Sequence, residues 1–216
     1  YCAEVVNLET RALRMVKDNL KEIAAGEEDA CEKLMYALVL SGLAMQMTGN
    51  SRPASGAEHH LVQLWDMEVL NGHLDALHGE KVSAGTMVAL IEYKKIADAI
   101  RRKTCKVHTH IEEDRELLQN TFGKKDVLNA IEKENIPELL DEISTRQLND
   151  ALPEIMQIID ALPAVTDMQE MMSKAGCVSR VRDIGLPGEA VSDSLRLAPY
   201  TRRRLSLLRL RKLLTY

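Results

Sequence analysis

Apolar residues recur at helical spacing along most of the chain, and this periodicity constrains the fold more than any other feature. Val5, Leu8, Ala12, Val16 and Leu20 lie three or four residues apart, as on the buried face of an amphipathic helix. The chain has one Phe, one Trp and five Tyr, so aliphatic side chains must fill the core. No alternating run is long enough to indicate a strand. The sequence therefore predicts an all-α fold, a multi-helix bundle.

Glycine, proline and capping residues delimit the predicted helices. The first ends at Gly26. The second runs to Met47 and is apolar on nearly all sides, so we expect it in the middle of the bundle. Ser55 and Glu58 match a capping box that begins a third helix at Ala57. In all, helices are predicted over residues 3–25, 27–47, 57–70, 84–103, 111–119, 124–134, 136–149, 151–160, 165–175, 192–198 and 201–214.

Composition and charge narrow the class of protein. The chain has 216 residues, 45% of them hydrophobic, and a net charge of −5. This balance is ordinary for a globular domain and argues against nucleic acid as a partner. No apolar run reaches the ~18–20 residues that cross a bilayer, so no membrane partner is expected. We interpret the basic run at residues 202–204, with Arg209 and Arg211, as a leucine-packed helix whose arginines face solvent or acidic neighbours.

Cysteine usage and the chain start indicate a cytoplasmic protein that is larger than this chain. Cys2, Cys31, Cys105 and Cys177 are scattered, with no Cys-x-x-Cys, which favours a reducing cytoplasm. The chain opens at Tyr1, inside a helical pattern and without Met, so we expect a fragment of a longer protein. Gly-x-Gly-x-x-Gly and Gly-x-x-x-x-Gly-Lys-Ser/Thr are absent from the sequence. Any nucleotide would therefore bind mainly outside these 216 residues.

Two histidines are candidate metal ligands. His59 follows the Gly/Pro-broken loop at residues 49–56, and His78 follows the loop after Asn71-Gly72. Each is expected where a loop meets a helix, which can aim two imidazoles at one ion. Two ligands are fewer than the three protein ligands usual at a catalytic metal. The alternative is that both histidines only line or cap helix ends.

Arg52 and Gln63 lie close to the first histidine in sequence. Arg52 could receive a phosphate in a bidentate fork, helped by the following helix N-terminus. The alternative is a surface arginine in a polar loop. Gln63 follows His59 at helical i, i+4 spacing and shares its face. His60 points about 100° away from His59, which suits packing or support of the site.

The strings Asn50-Ser-Arg-Pro-Ala-Ser-Gly-Ala-Glu-His-His60 and His78-Gly-Glu-Lys-Val-x-x-Gly-Thr86 carry a resemblance. They look like the C-terminal metal-binding domain of bacterial sn-glycerol-1-phosphate dehydrogenases, within the iron-containing alcohol dehydrogenase and glycerol dehydrogenase superfamily. The tail from Tyr200 to Arg209 is also similar. The resemblance is strongest over residues 38–96 and covers most of the chain. Members often have a second histidine four residues after the first ligand, where this chain has Gln63. The resemblance implies a role in proton relay or substrate binding at this position, but Gln63 cannot titrate, so the sequence assigns no catalytic residue.

The resemblance implies a two-domain oxidoreductase of phospholipid metabolism. Residues 1–216 would form its helical metal-binding domain, and an N-terminal domain absent from this chain would bind NAD or NADP. The intact enzyme would interconvert dihydroxyacetone phosphate, a phosphorylated triose, and sn-glycerol 1-phosphate. His59 and His78 would hold a divalent metal with an aspartate from outside the chain. Zinc is the first choice, with nickel or iron as alternatives, and this fragment alone should be inactive.

Other functions remain open at this point. The wider superfamily includes 3-dehydroquinate synthase, so a lyase of that kind is an alternative enzyme. A non-catalytic helical interaction module, whose histidines are structural, is the alternative outside enzymes. The resemblance also suggests a homodimer.

Overall fold

The computed structural model describes residues 2–110, 114–123 and 127–216, and it confirms the all-α prediction. One short antiparallel pair joins β1 to β2, with Lys106 opposite Thr215 and Val107 opposite Leu214. Among the described helices, none is long and apolar enough to cross a membrane. The elements are α1 Ala3–Asp18, α2 Leu20–Ala25, α3 Glu28–Thr48, α4 Ala57–Asp66, α5 His78–Arg101, β1 Lys106–Val107, α6 Arg115–Phe122, α7 Leu128–Glu134, α8 Thr145–Asp160, α9 Val165–Lys174, α10 Ala190–Leu197, α11 Leu207–Leu210 and β2 Leu214–Thr215.

The first three helices pack against one another. The predicted helix over residues 3–25 is interrupted at Asn19, which separates α1 from α2. Gly26 and Gly49 end α2 and α3 in the left-handed conformation, with φ of 74° and 66°, which glycine adopts without strain. Ala37 and Leu40 of α3 pack on Ala12 of α1 in a small cluster.

The prediction that the second helix lies in the middle of the bundle is wrong. Only one face of α3 is buried, through Ala30, Ala37, Leu40 and Ala44. Its other face exposes large apolar side chains to solvent, namely Met35, Tyr36, Leu38, Val39, Leu43 and Met47. A helix whose sequence is apolar on all sides can bury every face, but the sequence does not show which face another helix of the same chain covers.

Helix α5 is the centre of the fold. Its first half packs against α4 in the main core, where Leu61, Leu64 and Trp65 are almost fully buried. The Trp65 indole N–H donates a 2.9 Å hydrogen bond to the Ser194 hydroxyl of α10. Its second half packs against α8 in a second cluster through Ile96 and Ala97. Helix α5 therefore contributes to both hydrophobic clusters. Its first half also lies beside the first turn of α4.

Several predicted helix boundaries are wrong. The helix predicted over 57–70 ends at Asp66, because Met67 caps it. Helix α5 begins at His78 rather than Ala84, because the Glu80 carboxylate accepts a 2.7 Å hydrogen bond from the Leu77 N–H. The predicted helices over 136–149 and 151–160 are one helix, α8, which starts after Ser144 and continues through Pro153. A 3₁₀ turn at Leu139–Glu142 precedes it. Parts of the predictions over 111–119 and 124–134 lie outside the described residues.

The predicted helix over residues 201–214 is also wrong. The segment holds the short helix α11, two 3₁₀ turns and β2. Its arginines pair as expected with acidic neighbours, Arg209 with Glu138 at 2.8 Å and Arg211 with Glu92 at 2.9 Å. Arg209 is 1% exposed and also donates to the carbonyls of Pro199 and Arg202. These hydrogen bonds hold the backbone of residues 199–209 in an irregular conformation, and a continuous helix could not make the same contacts.

Candidate metal centre

His59 lies in the first turn of α4, half-buried, and its ring is held by the residue before it. The Glu58 Oε1 atom lies 2.8 Å from His59 Nδ1 and also accepts a 2.6 Å hydrogen bond from the Gly56 N–H. The capping residue at the start of α4 is therefore not the one that the sequence predicted. Gly56, not Ser55, is the N-cap residue, and Glu58 closes the turn onto it. A Nδ1–H donated to a carboxylate leaves Nε2 of His59 free to bind a metal.

His78 is the first residue of α5 and is exposed. The Glu80 carboxylate holds the backbone at Leu77, so the direction in which the helix starts is fixed. Gly85, two turns into α5, lies against the backbone of Glu58. This close approach of α5 to α4 brings the two helix starts side by side.

The structure brings the two predicted ligands together. The ring centroids of His59 and His78 lie 5.7 Å apart, with the ring planes tilted by 52°. Two imidazoles whose nitrogens each lie about 2.0–2.1 Å from one zinc ion have ring centres roughly 5–6 Å apart. The observed pair therefore fits two adjacent positions of one metal ion, whereas rings that only cap their own helices have no reason to converge.

The pair supplies only part of a metal site. Over residues 2–110, 114–123 and 127–216, no group of three or more His, Cys, Asp or Glu side chains could hold a metal. Asp66, on the same face of α4, is paired with Lys81 of α5 at 2.7 Å. The two histidines and Glu58 fit a divalent ion that takes its remaining ligands from elsewhere.

Gln63 is part of a different contact. Its Oε1 atom accepts a 3.2 Å hydrogen bond from Arg202 Nε. The residue therefore links α4 to the arginine-rich segment before α11. It cannot take up or release a proton in the physiological range, so it holds a neighbour in position.

Arg52 lies in the loop before α4, where its backbone N–H donates to Asn50 Oδ1 at 3.0 Å. It lines a cavity of about 380 Å³ together with Arg203 and Arg204. Burial lowers the pKa of Arg204, and the charges of Arg52 and Arg202 lower it further. The guanidinium groups therefore repel one another here, and an anion between them would relieve that repulsion.

His60 faces this cavity rather than His59. It is 2% exposed, and its pKa is lowered to about 4, chiefly by burial and next by the charge of Arg204. Within the described part of the chain, neither ring nitrogen has a hydrogen-bond partner. Packing explains why the His60 side chain is buried, but it does not explain why a polar ring is buried without hydrogen-bond partners for its two nitrogens.

Glu58 and Arg204 are two residues of the site that sequence reasoning missed. Glu58 was interpreted only as a capping residue, although an acidic side chain directly before a ligand histidine is a signal for a carboxylate that orients the imidazole. Arg204 lies far from residues 49–60 in sequence and carries no local signal. Its contacts to Ser51 Oγ at 3.1 Å and the Ser55 carbonyl at 3.3 Å exist only in the folded chain.

Curated proteins with similar sequences are named glycerol-1-phosphate dehydrogenases. A protein of Geobacillus stearothermophilus named glycerol-1-phosphate dehydrogenase [NAD(P)+] is 30% identical over 92% of this chain and 42% of its own length. A protein of the same name from Halalkalibacterium halodurans is 32% identical over 96% of this chain and 44% of its own length. The chain is homologous to the C-terminal part of glycerol-1-phosphate dehydrogenases. The resemblance of the chain to this family is thereby confirmed.

The homology extends beyond these two relatives. The dehydrogenase of Bacillus licheniformis is 40% identical over 46% of this chain, and that of the archaeon Pyrococcus horikoshii is 36% identical over 44% of it. The chain spans about two-fifths of the length of the first two dehydrogenases. No protein-family model matches the chain, and no solved structure matches it.

Proposed function

We propose that this chain is the metal-holding helical domain of an NAD(P)-dependent dehydrogenase that interconverts dihydroxyacetone phosphate and sn-glycerol 1-phosphate. The observation that carries the proposal is the convergence of His59 and His78, from two helix starts, in a homologue of such dehydrogenases. The names of these relatives give the reaction class and the nicotinamide cofactor. Nothing in the comparisons favours the dehydroquinate synthase-like lyase or the interaction module.

The proposed enzyme has a second domain. A nucleotide-binding domain would precede this one in the intact protein and hold NAD or NADP, and it would contribute the aspartate that completes the metal site. Residues 1–216 would form one helical domain, inactive alone. Zinc is the proposed ion, with nickel and iron as alternatives, because imidazole suits all three.

The residues of this chain would bind the metal ion and orient the substrate. Nε2 of His59 and a ring nitrogen of His78 would hold the ion, and Glu58 would fix the tautomer of His59 through Nδ1. A bound divalent ion supplies a Lewis acid that polarises a ketone oxygen. Arg52 would contact the phosphate of the triose, since a guanidinium binds phosphate through two parallel hydrogen bonds. Gln63 would position Arg202 and carry no proton.

Compartment and assembly belong to the same proposal. The four cysteines are free thiols, which suits a reducing cytoplasm. A homodimer, without nucleic acid or membrane as partners, stays the expected assembly.

The test is metal analysis combined with turnover on the intact protein. We expect His59→Ala and His78→Ala each to lower the bound divalent metal and the rate of NAD(P)H oxidation with dihydroxyacetone phosphate. The matched control is His73→Ala, because the His73 side chain is 76% exposed and pairs with Glu68 away from the pair. If both site variants keep full metal content and full rate, the assignment is wrong and the histidines are helix-end residues.

A further inference from the structure

The cavity beside the start of α4 has the composition of an anion site. Its volume of about 380 Å³ is ample for a phosphate group. The described residues that line it include Arg52, Arg203 and Arg204, with hydroxyls from Ser55 and Ser206, and no carboxylate. The N-terminus of α4, a helix of ten residues, adds the positive end of its dipole.

His60 provides an independent indication of a ligand. His60 is only 2% exposed, and it borders the cavity. No described residue lies within hydrogen-bonding distance of Nδ1 or Nε2. A buried polar group without a partner costs about 1–3 kcal/mol, so such groups are rare in folded proteins. A neutral imidazole always carries one N–H donor, which an oxyanion in the cavity would accept.

The arginines around the cavity are held before any ligand arrives. Arg204 donates to Ser51 Oγ at 3.1 Å and to the Ser55 carbonyl at 3.3 Å, which uses two of the five N–H donors of a guanidinium. Arg203 donates to the Pro137 carbonyl at 3.0 Å. Buried Arg209 fastens the segment that carries both, through the Arg202 carbonyl at 3.2 Å. A site fixed in this way spends little entropy on binding.

We propose that this cavity is a phosphate-binding pocket, in which Arg204 supplies a guanidinium fork and His60 a buried imidazole N–H. The charge of Glu58 acts on His60, but the Glu58 carboxylate is engaged by Gly56 and His59. The ligand chemistry is a phosphate group, either the phosphate end of a small substrate or free inorganic phosphate. The inference rests on the proposed function only for the source of the phosphate and not for its binding.

The test uses inorganic phosphate and the 216-residue chain. We expect saturable binding at one site by isothermal titration calorimetry, with shifts of the His60 ring nitrogens and of Arg204 Nε in ¹⁵N-labelled protein. Arg204→Gln should weaken binding by about tenfold or more, because it removes a charged fork. Arg204→Lys should retain part of the affinity, since a point charge replaces the fork.

The matched control is Arg146→Gln, which removes the same charge from a side chain that is 91% exposed on α8. Equal weakening by Arg204→Gln and Arg146→Gln, or the absence of saturable binding by the parent chain up to about 20 mM phosphate, overturns the pocket. Circular dichroism checks that Arg204→Gln is folded. The nuclear magnetic resonance shifts of the parent chain decide the matter if it is not.

A second experiment identifies the source of the phosphate, on the intact dehydrogenase. If the pocket takes the substrate, Arg204→Gln raises KM for dihydroxyacetone phosphate by a much larger factor than KM for dihydroxyacetone, which has no phosphate. If it takes free phosphate, inorganic phosphate changes the rate with both substrates, and Arg204→Gln abolishes that response. Because phosphate binding by the isolated chain needs neither metal nor nicotinamide, its failure is distinguishable from failure of the proposed dehydrogenase.

Discussion

Gly85 of α5 lies against the backbone of Glu58 in α4, so closely that a Cβ on residue 85 would stand 3.0 Å from the Glu58 carbonyl oxygen. Glu58 orients His59, and α5 begins with His78. The contact between residues 58 and 85 therefore sets the distance between the two candidate ligands. It connects a packing detail of the core to the geometry of the proposed metal site.

Gly85→Ala should lower both stability and metal affinity. Alanine normally stabilises a helix interior relative to glycine by about 1 kcal/mol. Here the added methyl group meets backbone, which cannot rotate away, and overpacking of that kind costs about 1–3 kcal/mol. We expect a net loss in the free energy of unfolding, measured in urea, and weaker metal binding because α4 and α5 move apart.

Gly42→Ala is the matched control for this change. Gly42 also lies inside a helix, α3, but nothing stands within 4 Å of a Cβ placed there. Helix propensity then acts alone, and we expect the variant to be more stable by about 0.5–1 kcal/mol. Equal effects of the two substitutions would show that the contact at Glu58 is not tight in solution.

Glu58→Gln should weaken metal binding without removing a ligand. The amide oxygen of the new side chain can still accept a hydrogen bond from the Gly56 N–H, so the start of α4 is retained. The negative charge that Glu58 places beside His59 Nδ1 is lost. Loss of such an orienting carboxylate typically costs about 10–100-fold in metal affinity. Competition with a chelator on the intact protein measures the change. Gln63→His is the comparison, and we expect it to leave metal content nearly unchanged, because position 63 contacts Arg202.

Local signals in the sequence predicted some elements of the fold well. Gly26 and Gly49 end helices as predicted, since a left-handed residue is a local requirement that glycine meets. The predicted break between the helices over 136–149 and 151–160, just before Pro153, is wrong. Leu148, Leu152 and Ile159 form one buried face across it, and this packing favours a continuous α8 over a break. Burial of that face is a property of the tertiary structure and is not visible at the proline.

The candidate site shows the same division. His59 and His78 could be named from their loops and neighbours. The sequence marks the helix start at His59, whereas the start of α5 at His78 lies six residues before the predicted one. Their convergence depends on the contact of α4 with α5, and the pocket beside them depends on Arg204, a residue distant in sequence. Non-local contacts of this kind carry no signal in a single sequence.

The C-terminal segment is fastened to α5 by a buried ionic cluster that should make stability depend on pH. Arg211 Nη2 lies 2.9 Å from Glu92 Oε1, and the Tyr216 hydroxyl donates to the same carboxylate. Burial alone raises the pKa of Glu92, but the Tyr216 hydrogen bond and the charges of Arg211 and Lys95 outweigh it and leave the pKa lowered. The folded state therefore favours the ionised carboxylate.

Stability from this cluster should be complete above the ordinary Glu pKa of 4.5 and be lost as the pH falls through the lower folded-state pKa. Glu92→Gln should cost about 2–4 kcal/mol at pH 7, because it leaves Arg211 without its buried partner. It should also flatten the decline below pH 4.5. Urea unfolding over a pH series measures both. Glu170→Gln should change the profile far less, because its pair with Lys174 is exposed and screened by solvent, although Lys174 lowers the pKa of Glu170.

The exposed apolar face of α3 gives the last prediction. Leu38 is 58% exposed and Leu40 is 5% exposed, although they lie two residues apart in one helix. Leu38→Gln should change the free energy of unfolding by less than about 0.5 kcal/mol. Leu40→Gln should cost about 2–5 kcal/mol, because it replaces a core contact with α1 by a buried amide.

The same pair of variants tests what the apolar face does in solution. Contiguous exposed apolar surface promotes association, so the 216-residue chain should self-associate with rising concentration in sedimentation velocity. Leu38→Gln should reduce this association while leaving the fold intact, because it makes the exposed face more polar. A loss of stability in Leu38→Gln equal to that in Leu40→Gln would mean that α3 is covered on both faces.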